Sequence, residues 1–147
     1  MTGAAQLAGF LAEFEPSTAQ LARRCLAFVR RLAPGALERV YDAYSALAIG
    51  FATGDSLRET FIHVAVYPRH VNIGFNQGAA LGDPARLLVG TGSSVRHVRV
   101  DDAARLADPR LAALVSAAAE KAGHAGRPGE RGAIRIVRIY ARRRPRR

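Results

Sequence analysis

The chain has 147 residues, 49% of them apolar and 23% charged, which suits one domain burying roughly 68–70% of the surface its unfolded form exposes. No apolar run approaches the ~20 residues needed to cross a bilayer, and the single Cys25 excludes an internal disulfide. The net charge is +10, but eight of the 22 basic residues fall between Arg131 and Arg147, leaving 14 against 12 acids in the first 130 residues, so the body is expected to be nearly neutral.

The opening "MTGAAQLAGFLAEFEP" has no basic leader and carries Glu13 and Glu15 within its apolar stripe, so a cytoplasmic location is expected. Leu7, Phe10, Leu11 and Phe14 share one face of a short helix that Pro16 interrupts. "STAQ" matches a capping box, with Ser17 as N-cap and Gln20 three residues on. The helix that follows runs to about Ala33 and buries Leu21, Cys25, Phe28 and Leu32. Arg30 and Arg31 lie in its last turn, where the dipole favours cations, and Pro34-Gly35 ends it. Cys25, on that stripe, reads as a small buried hydrophobe.

From residue 37 the helical period gives way to four segments rich in β-branched and aromatic residues: "LERVYDAY", "ALAIGFA", "ETFIHVAVY" and "VNIGF". If residues 67–70 form a four-residue hairpin loop, Val66 opposes Val71, Val64 opposes Ile73 and Ile62 opposes Phe75, giving one wholly apolar face for the helices. The opposite face then carries Phe61, His63, Ala65, Asn72, Gly74 and Asn76.

"NQGAALGDPARL" reads as an irregular excursion before "LLVGTGSSVRHVRV". In a strand over the end of that stretch, Arg96, Val98 and Val100 share one face and His97 and Arg99 the other. Gly90 and Gly92 with Ser93 could form an anion-binding nest served by Arg96 or Arg99, or simply a tight turn. Phosphate loops of known mechanics lead into a helix, whereas this one leads into a strand, which favours the turn. Asp108 and Pro109 make an N-cap and first-turn pair, and Leu111, Leu114, Val115 and Ala118 form a helical stripe ending at Gly123. Residues 1–123 are the expected domain. "HAGRPGERG" follows as a linker, "AIRIVRIYA" as a candidate extra strand and "RRRPRR" as a disordered tail. A nucleic-acid-binding domain usually carries its basic residues on one face of the fold. Here they are concentrated in a tail, so only nonspecific, salt-sensitive binding is expected, through Arg142, Arg143, Arg144, Arg146 and Arg147.

The motifs "HVNIGF", "DPARLLVGTG" and "RHV", in that order behind two helices and a "PGA" break, resemble the YdhG-like family of small α+β domains. The resemblance spans roughly residues 7–122 and implies an antiparallel sheet, here of about five strands, covered by helices from both ends of the chain. It draws attention to His70, where "HVNIGF" begins. Members commonly have a lysine after the glycine pair where this chain has Ser93, so an anion site there would be weakened or altered. Some relatives carry a frataxin-like iron-chaperone label. The helix over residues 17–33 has no acid, and the four histidines have no paired metal-ligand spacing, so no metal or cofactor is expected. No nucleophile elbow, Cys/His signature or carboxylate pair emerges, and no catalytic residue is assigned. The expectation is a binding module for a small anionic ligand or a protein partner, with homo-oligomerisation open. His70, Asn72, Gly90, Gly92, Ser93, Arg96 and His97 are its candidate ligand contacts, with His63 and Arg99 in support.

Overall fold

The computed structural model describes residues 1–147 as α1 (Gly3–Leu11), α2 (Pro16–Leu32), β1 (Leu37–Asp42), β2 (Leu47–Ala52), β3 (Thr60–Val66), β4 (Val71–Phe75), β5 (Arg96–Val100), α3 (Pro109–Lys121) and β6 (Ile134–Ile139). The sheet order is β5-β4-β3-β2-β1-β6, antiparallel throughout except that β6 runs parallel to β1. This is an α+β fold with six strands rather than five. The helices pack on one face, and their stripes meet the inward residues of the strands in one core of 30 buried side chains.

The hairpin register is the one that alternation requires: Val66 opposes Val71, Val64 opposes Ile73 and Ile62 opposes Phe75. All six are fully buried. Phe61 departs from the expectation. The β2–β3 ladder shifts register between Phe51 and Ala52, so Ala52 pairs with Thr60 and Phe61 is the extra residue of a bulge. Its ring belongs to the core cluster and stacks on His124, with centroids 5.6 Å apart.

The start of α2 is also corrected. Pro16, with its preset φ, occupies the first helical turn and moves the N-cap back to Glu15, whose side chain makes no capping bond. Ser17 is therefore inside the helix, and Thr18 Oγ1 donates to the Pro68 carbonyl at 3.0 Å, tying α2 to the β3–β4 hairpin. A capping box does exist, at Ser56 and Glu59 before β3. Asp108 caps α3 as its spacing requires.

Two acids face the helix side of β1, where burial excludes water, and each is held by arginine. Glu38, 1% exposed, accepts bonds of 2.8 and 2.7 Å from Arg30 of α2. Asp42, also 1% exposed, is held from the carboxyl-terminal segment: Arg143 Nη1 lies 2.8 Å from its Oδ2 and Arg146 Nη2 lies 2.6 Å from its Oδ1. Arg143 also reaches Glu13 at 2.7 Å, and Arg147 donates to the carbonyls of Ala12 and Glu13 at the end of α1. The arginine-rich end, expected to be disordered, is thus docked, because buried Asp42 requires a cationic partner. Residues 124–132 are likewise tied down rather than a loose linker: His124 Nε2 lies 2.7 Å from the Pro34 carbonyl, and the Gly35 amide donates to Glu130. They lead into β6, which completes the sheet beyond β1.

Candidate functional site

With all three helices on one side, the other face of the sheet is covered only by its own side chains. Strand pairing arranges that face in rows. One row runs Arg135, Arg39, Gly50, His63, Gly74 and His97 from β6 to β5, and the next runs Arg138, Tyr41, Ala48, Ala65, Asn72 and Arg99. Four of the candidate residues, His63, Asn72, His97 and Arg99, lie here. His70 borders them at the hairpin, its ring stacked on Tyr67 at 4.7 Å.

The two glycines in the first row make room for larger neighbours. A Cβ on Gly74 would stand 2.0 Å from His63 Nε2, so the imidazole lies across the strand at a position only glycine leaves open. His63 Nδ1 donates to Asn76 Oδ1 at 2.9 Å, which leaves Nε2 as the acceptor. Burial lowers the His63 pKa below its ordinary 6.5 and His97 adds to the effect, against the opposing Asn76 bond. His70 is lowered as well, by burial and then by Arg99. Both rings are therefore predominantly neutral at pH 7. A Cβ on Gly50 would meet the Thr60 methyl at 2.9 Å, so that glycine too is roofed by a neighbour.

Three buried polar atoms on this face have no protein hydrogen-bond partner: Arg39 Nη1, Thr60 Oγ1 and Asn72 Oδ1. Buried polar groups are nearly always paired, so these three atoms are available to a ligand; a fourth unpaired atom, Arg146 Nη1, lies in the clasp over Asp42. Arg39 has no carboxylate within ion-pair distance, although its charge helps to lower the pKa of nearby Glu59, and its guanidinium lies over the Tyr41 ring at 5.8 Å. Arg138 lies over Tyr140 at 4.3 Å. The exposed pairs Arg135–Asp55 and Arg99–Asp101, each at 2.9 Å, stand at opposite ends of the sheet and are weak by virtue of their exposure.

The "GTGSS" loop is separate. Val89 and His97 exchange backbone bonds of 2.8 and 2.9 Å, so the chain entering the loop extends the sheet edge beside β5. Gly90 has φ +139°, which only glycine adopts readily, and the Arg96 side chain packs on it. Arg96 Nη1 donates to the carbonyls of Gly92 and Val95 at 2.6 and 2.8 Å. Its cation thus closes a turn on carbonyl oxygens, an arrangement opposite to an anion nest, and Gly90, Gly92, Ser93 and Arg96 do not converge with the open-face residues. In the tail, Arg142 and Arg144 are the two arginines whose guanidinium groups make no hydrogen bond. Arg143, Arg146 and Arg147 are bound to the body.

Arg39, Tyr41, Arg135 and Arg138 were not among the candidates read from sequence. Alternation in "LERVYD" separates Arg39 and Tyr41 from Val40, but Glu38 and Asp42 on the apolar side obscure the pattern. No group of three or more His, Cys, Asp or Glu side chains is close enough to share a metal ion. No helix is long and apolar enough to cross a membrane.

Fold and face together define the class: an α+β domain with three helices on one side of a six-stranded mixed sheet and an open side rich in arginine, histidine and tyrosine. Comparison with family models, curated proteins and solved structures gave no match.

Proposed function

We propose that this protein is a binding module for an anionic ligand held on the open face of the sheet, and that it belongs to the YdhG-like group its motifs resemble. The observation that carries the reading is Arg39: a half-buried guanidinium with no carboxylate partner and one buried, unbonded nitrogen, in a row with Arg135 and beside Arg138. Glu59 is near enough to feel the Arg39 charge but does not bond to it, so an oxyanion supplies what Arg39 lacks, a directly bonded acceptor carrying the opposite charge. Asn72, with an unpaired oxygen, and neutral His63 add neutral polar contacts that can orient a ligand without repelling an anion. Catalysis is not part of the proposal, since no nucleophile and base are brought together on this face.

The test is thermal unfolding of the full chain at constant ionic strength with inorganic tripolyphosphate, sulfate or chloride. A bound anion at 100 times its dissociation constant stabilises by about 2.7 kcal/mol, a rise of several degrees for a domain of this size. Tripolyphosphate is expected to raise the midpoint, and Arg39→Gln to abolish the rise. An equal rise in Arg39→Gln, or none in the parent chain, refutes the reading.

A further inference from the structure

We infer that the anionic ligand of the open face is a single-stranded nucleic acid laid across the strands from β6 to β5. The inference rests on the binding proposed above and adds the identity of the ligand. Three observations lead to it, and the first is where the basic residues end up. By sequence they lie in a tail; in the fold, β6 takes Arg135 and Arg138 out of that tail and sets them beside Arg39, with Arg99 at the far side of the same face. Basic residues gathered on one face are the footprint of a polyanion site.

The second is the partition of the aromatic residues. Five of the six phenylalanines are buried in the core and Phe10 packs against it. Tyr41 lies on the open face, Tyr67 extends the β3–β4 ladder on that side, and Tyr140 follows Arg138 by two positions and stacks with it. A tyrosine half-exposed beside an arginine offers a plane for a base and a cation for the adjoining phosphate. Two such Arg–Tyr pairs lie side by side: Arg39–Tyr41 on β1, and Arg138 of the neighbouring β6 with Tyr140 one residue beyond its end.

The third is extent. Six strands at about 4.8 Å spacing give roughly 24 Å from Arg135 to His97, far more than one small oxyanion requires and enough for a short run of nucleotides. Asn72 Oδ1, near the middle, is an unpaired acceptor suited to the edge of a splayed base. A duplex has the charge but keeps its bases stacked inside, and so cannot use the tyrosines.

The experiment is fluorescence anisotropy of the full chain with a labelled mixed-sequence single-stranded RNA of about twelve nucleotides, a length within the usual site size, and with the same sequence as a duplex. The single strand is expected to bind more tightly than the duplex and to weaken as salt rises. Tyr41→Ala is expected to weaken it about ten- to hundredfold, while Tyr41→Phe stays within about twofold of the parent, because the ring and not the hydroxyl stacks. The exposed pair Arg135→Ala with Arg138→Ala, on an edge strand, is expected to weaken binding at least about tenfold and to reduce the salt slope by about 1.4; Arg142→Ala changes neither. Equal affinity for the duplex, or unchanged single-strand affinity in Tyr41→Ala, overturns the inference. If tripolyphosphate still stabilises the parent but not Arg39→Gln, the anion site survives and only the nucleic acid is lost. If no anion stabilises the protein, both readings fall.

Discussion

Asp42→Asn tests whether the carboxyl-terminal segment is part of the fold. The carboxylate is 1% exposed, accepts hydrogen bonds of 2.8 and 3.1 Å from Arg143 Nη1, and is ion-paired at 2.6 Å with Arg146 Nη2, which itself donates to the Ala43 carbonyl. The amide keeps the shape but removes the charge, leaving the Arg146 side chain, 6% exposed, with Glu13 at 3.7 Å as its nearest acid. Breaking a buried pair by removing one partner costs about 3–5 kcal/mol. Arg143 is 31% exposed and already bonded to Glu13, so part of the loss is recovered and about 2–3 kcal/mol is expected. For a domain of this length that lowers the unfolding midpoint by roughly 6–12 °C. Calorimetry with urea unfolding measures it, and a cycle with Arg146→Met isolates the pair: removing both charges is expected to cost at least about 1 kcal/mol less than the two single losses added. A midpoint within about 2 °C of the parent, or strict additivity, refutes the docking of this segment.

Two further predictions concern titrating groups. His63 has a folded pKa below 6.5, so on acidification the unfolded chain takes up the proton first; its contribution to stability is complete above about pH 6.5 and is lost as pH falls through the folded value. Its imidazole resonances followed by NMR should titrate below 6.5, and His63→Gln should flatten the acid limb of the stability profile; a midpoint at or above 6.5 contradicts the assignment. Cys25 is fully buried in α2, and burial pushes its thiol up to about 12, so a thiol reagent at pH 8 should label it slowly in the native protein and rapidly in denaturant. Rapid native labelling would show that α2 opens readily.

Much of the sheet was legible because the pleat has period two. Ile62, Val64, Val66, Val71, Ile73 and Phe75 permit one register, in which His63, Asn72 and Gly74 must share the opposite face. The Asp108-Pro109 start of α3 was legible for a similar local reason, since an N-cap and its first turn are adjacent in sequence. Phe61 was misread because a bulge adds one residue and reverses the alternation beyond it, and no local signal in "ETFIH" distinguishes a bulge from a regular strand. The Ser17 box failed because Pro16 begins the helix two positions earlier, and a preset φ outweighs a capping pattern. The candidate site was only half legible. Its β3, β4 and β5 residues came from alternation, whereas Arg39, Tyr41, Arg135 and Arg138 depend on which strand lies beside β1.

The sequence by itself determined the helices, the antiparallel run of strands and the register of the β3–β4 hairpin, because each follows from periodicity or from neighbours a few positions apart. Tertiary structure alone decided that β6 lies parallel to β1 at the far edge, that Arg143 and Arg146 close over Asp42, and that the basic residues of the tail divide between a face and a clasp. Those pairings join groups about 100 residues apart, and their strength comes from burial. A carboxylate that is one hydrophilic residue among many in the sequence becomes, once excluded from water, a charge that must find an arginine.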